Sequence, residues 1–266
     1  MLISILAAVS VAAYLAATLL SALPALRGTA PSRAAGLAVA AVGVLAHLTY
    51  LLATHRGGVD LHFFAALSFV AMLIAGTTLA VNAARPVGAL GVIVFPLAAV
   101  LLAVDAWLAP PTRPSAMDWQ IKLHVVVALF GYALLSVSAV LALLLLVQER
   151  ALRNRDIGSH WLRVLPPLTL TESLMFRLVG AGFVLLTATL LTGVLFVENL
   201  FAQHLVHKTT LSIVAWVVFG TLLVGRWRYG WRGRRAVRLL LSGMAVLLLA
   251  FFGSKFVLEV LLARTP

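Results

Sequence analysis

The stretch Val125–Val147, VVVALFGYALLSVSAVLALLLLV, decides the fold class because its 23 residues include no charged side chain. About 20 consecutive apolar residues in a helix are enough to cross the hydrocarbon core of a bilayer. A strand of a membrane β-barrel would instead be a short segment of alternating hydrophobicity. The stretch therefore predicts a membrane-spanning α-helix.

The rest of the chain repeats this pattern. Of 266 residues, 63% are hydrophobic and 11% are charged, against about 25% charged residues in a soluble domain. We therefore predict an all-α, polytopic membrane protein that forms a single integral membrane domain over 1–266, with four spans in 1–118 and four in 119–266. The predicted spans are Leu2–Leu23, Ala35–Thr54, Phe63–Ala84, Val87–Leu108, Ile121–Val147, Leu178–Val197, Thr209–Gly225 and Val237–Leu262. Thr169 and Glu172 fit a capping box, which predicts that the sixth helix begins near Leu170.

The net charge of +12 follows membrane topology. Fourteen of the 20 lysines and arginines fall in the loops of one side, which the positive-inside rule assigns to the cytoplasm. Both termini are then expected on the non-cytoplasmic side, and a nucleic-acid partner is not indicated. The fourteen basic residues are Arg27, Arg33, Arg85, Arg150, Arg153, Arg155, Arg163, Arg177, Arg226, Arg228, Arg232, Arg234, Arg235 and Arg238.

Cysteine is absent from the sequence, so thiolate metal sites, iron–sulfur clusters and a C-x-x-C-H haem attachment are excluded.

Histidines are the main candidates for chemistry, because ionisable groups in a membrane bundle are rare and costly. The predicted topology gathers several of them toward the outer leaflet. His204 and His207 are spaced i, i+3 and share a face if that stretch is helical. A histidine bonded to a carbonyl or a lipid headgroup is the structural alternative for each. The candidates are His124, His207, His47 and His204.

Two facing imidazoles in an apolar bundle suit a haem iron, and the same pair suits copper or zinc. His124 and His207 are the predicted metal ligands, and His47 is the third candidate. Lys122 and Lys208 lie on the same predicted side and are placed to pair with haem propionates. Headgroup anchoring is the alternative role for both lysines.

Several stretches resemble the cytochrome c assembly membrane proteins of the CcsA/CcmC type. Trp119–Val125 (WQIKLHV), followed by Gly131-Tyr132-Ala133, resembles the histidine-bearing helix of that family. Phe176-Arg177, Gly182–Thr187 and Leu191-Thr192-Gly193 also look like it. The stretch His207–Thr210 with Ala215-Trp216, and then Gly230–Ala236, is similar to its small YpjD/HemX-like branch. The resemblance covers about Trp119 to Leu262.

The resemblance implies a haem-binding or haem-handling accessory protein of the bacterial inner membrane, related to cytochrome c biogenesis. His124 matches the family's first outer-face ligand, and the implied cofactor is haem b. Two departures stand out. The family's tryptophan-rich outer loop is replaced by the short stretch Phe201–His207, and the last span carries Lys255 and Glu259 where a second outer histidine is expected. His207 is the substitute second ligand on topology alone.

Other classes of function stay open. A cofactor-free scaffold or regulator would bind a partner through the arginine-rich loops Arg150–Arg177 and Arg226–Arg238. A transporter is less favoured, because no pair of interrupted helices marks a midplane site. The sequence shows no catalytic motif, so we do not expect an enzyme. The expected partners are the lipid bilayer, haem and other biogenesis proteins.

Overall fold

The computed structural model describes residues 1–27, 32–56, 58, 62–109, 117–154, 165–196 and 206–257. All regular structure in these ranges is helical. The elements are α1 Leu2–Arg27, α2 Arg33–Thr54, α3 Phe63–Ala84, α4 Ala89–Trp107, α5 Trp119–Arg153, α6 Leu168–Phe196, α7 Val206–Tyr229 and α8 Gly233–Leu248. A π-helical segment, Leu249–Gly253, continues α8.

Eight helices in the described ranges are long and apolar enough to cross a membrane. This confirms the number of spans and the all-α, polytopic class. Each predicted span overlaps one helix. The longest helix is α5 with 35 residues, which is more than a bilayer core requires.

The start of α6 differs from the prediction. The helix begins at Leu168, so Thr169 lies inside its first turn rather than at a cap near Leu170. The capping box also fails at its acidic end, because the Glu172 carboxylate accepts hydrogen bonds from the Arg226 and Arg232 guanidinium groups. The Glu172 carboxylate therefore pairs with arginines that are distant in sequence and does not cap the start of its own helix.

The helices fall into two compact units. The first unit is Met1–Ala116 with Val147–Leu170. Within it, α1 packs on α2 and α4, and α3 packs on α4 and α2. Gly43 allows the close approach of α1, since a Cβ there would lie 2.9 Å from Cδ1 of Tyr14. Ser10 Oγ donates to the Gly43 carbonyl at 2.8 Å and joins the same two helices.

The second unit is Met117–Leu146 with Thr171–Pro266. Gly182 brings α6 close to α5, because a Cβ at this position would lie 2.7 Å from Cγ of Leu135. Trp216 Nε1 of α7 donates to Thr187 Oγ1 of α6 at 2.8 Å. α8 packs on α7, where a Cβ on Gly243 would lie 2.9 Å from the Phe219 ring. Small residues therefore set the helix spacing, as is common in membrane bundles.

Candidate functional site

The second unit contains a cavity of about 520 Å³, within the range of about 300–1,000 Å³ that is usual for ligand pockets. Segments of α5, α6, α7 and the end of α8 line it. Most of its wall is aliphatic or aromatic, and the polar groups are few. The polar side chains in the wall are those of His124 and Tyr132 of α5, Thr189 of α6, and Lys208, Thr209 and Ser212 of α7.

The His124 ring is oriented by a threonine of the next helix. His124 Nδ1 lies 3.0 Å from Thr192 Oγ1. The Thr192 hydroxyl hydrogen is directed to its own helix, with the carbonyl oxygen of Ala188 at 2.9 Å. A carbonyl oxygen can only accept, so when the Thr192 hydroxyl donates to Ala188 the threonine oxygen accepts from His124 and Nδ1 carries the ring hydrogen. In a neutral imidazole this leaves the lone pair on Nε2, which is the atom available to ligate a metal.

A hydrogen bond at one ring nitrogen that leaves the other free for a metal is usual for ligating histidines. The Thr192 contact thus gives His124 the form that ligation requires. Its side chain is half-buried and lines the cavity. Lys208 of α7 lines the same cavity. The cavity wall consequently includes a histidine, a lysine and a large apolar surface.

The far wall of the cavity depends on Tyr132. Its hydroxyl donates to the Leu247 carbonyl at 2.6 Å, just before α8 changes from α- to π-helical geometry. The Tyr132 ring also contacts Phe251 and Phe252, with ring centroids 5.9 and 5.7 Å apart. Leu247, Ala250 and Phe251 all line the cavity. A π-helical segment often marks a functional site, and here it shapes the wall.

The other residues predicted for this site have different positions. His207 is exposed in the first turn of α7 and is not part of the cavity wall, and Lys122 is exposed near the start of α5. His204 lies outside the described residues. The structure thus brings His124 and Lys208 to one cavity, whereas the pairing of His124 with His207 stays a prediction.

His47 belongs to the first unit, where its exposed fraction is 0%. The Tyr14 hydroxyl lies 3.2 Å from Nδ1, and the Ser68 hydroxyl lies 3.0 Å from Nε2. Both ring nitrogens are therefore engaged by side chains of α1 and α3. A metal would have to displace one of these hydrogen bonds, so the contacts favour a structural role for His47.

The same polar cluster extends to α4. The Tyr50 hydroxyl donates to Asp105 Oδ2 at 3.2 Å, and the Asp105 side chain is only 8% exposed. His62 is also used locally, because its Nδ1 accepts from the Ala65 backbone amide at the start of α3.

Thr192 and Tyr132 are the functional candidates that reasoning from the sequence missed. Threonine hydroxyls often donate to a carbonyl of their own helix, as Thr192 does. Its second role, orienting His124, is visible only from the 3.0 Å distance between its Oγ1 and His124 Nδ1. One signal was present, since Leu191-Thr192-Gly193 and Gly131-Tyr132-Ala133 are both among the stretches that resemble the cytochrome c assembly family. No group of three or more His, Cys, Asp or Glu side chains suited to a metal occurs in the described ranges.

Eight apolar helices in the described ranges, with a cavity among the helices of the second unit, define the class as a polytopic helical membrane protein. Residues 32–262 match the family model described as Cytochrome C assembly protein, so the chain belongs to the cytochrome c assembly protein family.

Individual relatives agree with this assignment. The chain is 41% identical over 138 residues to the inner membrane protein YpjD of Escherichia coli K12, and the match covers 52% of each chain. It is 42% identical over 156 residues to an uncharacterized 28.8 kDa protein of Azospirillum brasilense, covering 58% of this chain and 57% of the relative. A cytochrome c biogenesis protein CcsA of Synechococcus sp. CC9902 is 28% identical over 193 residues, covering 64% and 62%.

The chain thus spans about half the length of the YpjD relatives that it matches. No solved structure matches it significantly. With its eight apolar helices, the family assignment makes the chain a multi-pass protein of the bacterial inner membrane, related to cytochrome c biogenesis.

Proposed function

We propose that this protein binds or handles haem b in the inner membrane as an accessory of cytochrome c biogenesis, with the cavity of the second unit as the site. The observation that carries the proposal is the His124–Thr192 hydrogen bond, 3.0 Å long. It leaves the Nε2 lone pair available on a side chain that lines an apolar cavity. Imidazole is a common axial ligand of haem iron.

The residues of the cavity fit haem in three respects. The volume of about 520 Å³ is in the range of cofactor pockets. The aliphatic and aromatic wall suits the macrocycle, and the Lys208 ammonium suits a propionate carboxylate. When bound, haem supplies an iron centre whose ligation and surrounding polarity the protein controls.

A second ligand is part of this proposal and rests on topology. His207 lies in the first turn of α7, one residue before Lys208, which lines the cavity. We propose that His207 would be the second residue to hold the haem iron, and that the exposed Lys122 would pair with a propionate. His204, adjacent in sequence, is the alternative second ligand.

The proposal includes the arrangement of the chain in the membrane. The bias of fourteen basic residues against six supports a topology with both termini on the non-cytoplasmic side. We propose a single integral membrane domain, with four spans in 1–118 and four in 119–266. We also propose that the protein is not an enzyme, since the sequence carries no catalytic motif. In the described ranges, the buried carboxyl groups of Asp105 and Glu172 are hydrogen-bonded to side chains of their own unit.

The proposal is tested with the visible absorption spectra of detergent-purified protein from haem-replete cells, oxidised and reduced. The wild type should show the sharp reduced bands of a six-coordinate b haem. His124→Ala should lose them, His207→Ala should convert them to a five-coordinate form, and His47→Ala should retain them if it elutes as a folded protein. A colourless wild type would contradict haem binding and would favour the scaffold function.

A further inference from the structure

A second surface of the molecule lies at the junction of α7 and α8. We call residues 226–238, RWRYGWRGRRAVR, the arginine turn. Its 13 residues include six arginines and no lysine, aspartate or glutamate. All of them belong to the second unit. This surface takes no part in the cavity.

The backbone of the arginine turn is held in one conformation. Gly230 and Gly233 have φ angles of 65° and 57°, which are strained for other residues. The Trp231 amide donates to the Gly225 carbonyl at 3.1 Å, and its ring lies against Gly225, where no Cβ would fit. The turn therefore presents its side chains from a fixed frame.

Two of the arginines are bound to the only carboxylate that reaches the turn in the described ranges. Arg232 forms a bidentate pair with Glu172, at 3.1 and 2.9 Å, and Arg226 lies 3.4 Å from the same carboxylate. The Glu172 hydrogen bonds raise the pKa of the Arg232 guanidinium. Arg235 stacks on Trp231, with its Cζ 3.6 Å from the ring centroid. These contacts fix three guanidinium groups, two of them on the single carboxylate of Glu172.

Part of the positive charge of the turn does not stabilise the helix that follows it. Arg235 and Arg238 are exposed in the first two turns of α8, where the helix dipole disfavours positive charge. No acidic residue occupies the first turn of that helix. Arg228, in the last turn of α7, is exposed as well. An anionic partner outside the protein would offset this unfavourable concentration of charge.

The aromatic residues of the turn indicate where that partner lies. Trp227 is 86% exposed and Tyr229 is 71% exposed. Exposed tryptophan and tyrosine at the end of a span are typical of the membrane–water interface. Guanidinium groups match a phosphate geometrically better than lysine does. We propose that the arginine turn binds the phosphodiester headgroup of an anionic phospholipid, with Trp227 beside its glycerol and acyl region.

The test uses nanodiscs of phosphatidylcholine that contain either brominated phosphatidylglycerol or, at equal amount, brominated phosphatidylcholine. Bromine quenches tryptophan fluorescence on contact, so the ratio of the two quenching constants measures the preference for the anionic headgroup. We expect a preference in the wild type, and at least an approximately fivefold loss of it in the double variant Arg228→Gln/Arg238→Gln. Trp227→Phe should remove most of the preferential quenching.

The matched control is Arg150→Gln/Arg153→Gln, which removes the same charge from exposed positions at the end of α5. This variant should keep the wild-type preference. An equal loss in both double variants would overturn the proposal in favour of general charge attraction. Absence of a preference in the wild type would overturn it too, and would leave the arginine turn as a surface for a protein partner.

Discussion

His124 and His47 are both histidines on apolar helices, yet their hydrogen bonds give them different chemistry. His47 engages both ring nitrogens inside the first unit. Among the described residues, His124 has a hydrogen-bond contact at Nδ1 alone, with the Thr192 hydroxyl, which itself donates to a carbonyl. The sequence places each residue on its helix but does not specify these partners, because Thr192 is 68 positions from His124. Side-chain pairing between helices depends on packing that no local pattern encodes.

Removing the Thr192 hydroxyl should weaken haem binding. Thr192→Val keeps the shape of the side chain but frees His124 Nδ1, so the ring loses its orientation and its preferred tautomer. Haem affinity should fall by about tenfold to a hundredfold, the usual effect of losing a second hydrogen-bond partner of a ligating histidine. A haem titration monitored at the Soret band measures this change.

Thr189→Val is the matched control for this variant. Thr189 lies on the same helix and lines the cavity, but its hydroxyl donates to the Leu185 carbonyl of its own helix. We expect its haem affinity to stay within about twofold of the wild type. Equal losses in the two variants would show that Thr192 acts through cavity polarity and not through His124.

Some glycines of the second unit allow two helices to pack closely and others do not, even when they lie in the same helix. Gly182 and Gly180 both lie in α6, two residues apart. A Cβ at Gly182 would meet the Leu135 side chain, whereas a Cβ at Gly180 would meet no atom within 4 Å. The apolar pattern predicts the helix but not which side faces α5. This is also why the Thr169–Glu172 box misled, since a local rule does not include the arginines of a later turn.

We predict that Gly182→Ala lowers the free energy of unfolding by about 1–3 kcal/mol, because Leu135 must move to admit the methyl group. Gly180→Ala should be neutral or stabilising by up to about 1 kcal/mol, since alanine favours a helix. Thermal unfolding of the two variants in one detergent measures the difference. A Gly182→Ala variant that melts at or above the wild-type temperature would contradict the close α5–α6 packing.

For the whole molecule, the number and order of the spans were predictable, because long apolar runs separated by proline, glycine and arginine leave little freedom. The grouping of the helices into two units was not predictable, since Val147–Leu170, which begins inside α5, belongs to the first unit, whereas the rest of α5 belongs to the second. The composition of the cavity was only partly predictable. His124 and Lys208 were candidates from the sequence. The aliphatic wall was not, because it is formed by four helices whose relative positions the sequence does not specify.

The proposed topology predicts on which side of the membrane a fused reporter lies. With an even number of spans and the observed arginine bias, alkaline phosphatase fused to the C-terminus should be active, and a fusion after Tyr229, at the end of the seventh span, should be inactive. Fluorescent protein fusions at the same two points should give the reverse pattern. An inactive phosphatase at the C-terminus with an active one after Tyr229 would invert the proposed orientation.

If His124 holds haem iron in the cavity of the second unit, its loss must weaken haem binding, and an equilibrium titration of haem into haem-free protein measures this. The wild type and His55→Ala should bind alike, because the His55 ring contacts a carbonyl of its own helix in the other unit. His124→Ala should bind at least about tenfold more weakly, with an altered spectrum. Equal affinity and identical spectra for the wild type and His124→Ala would show that His124 does not hold the haem iron.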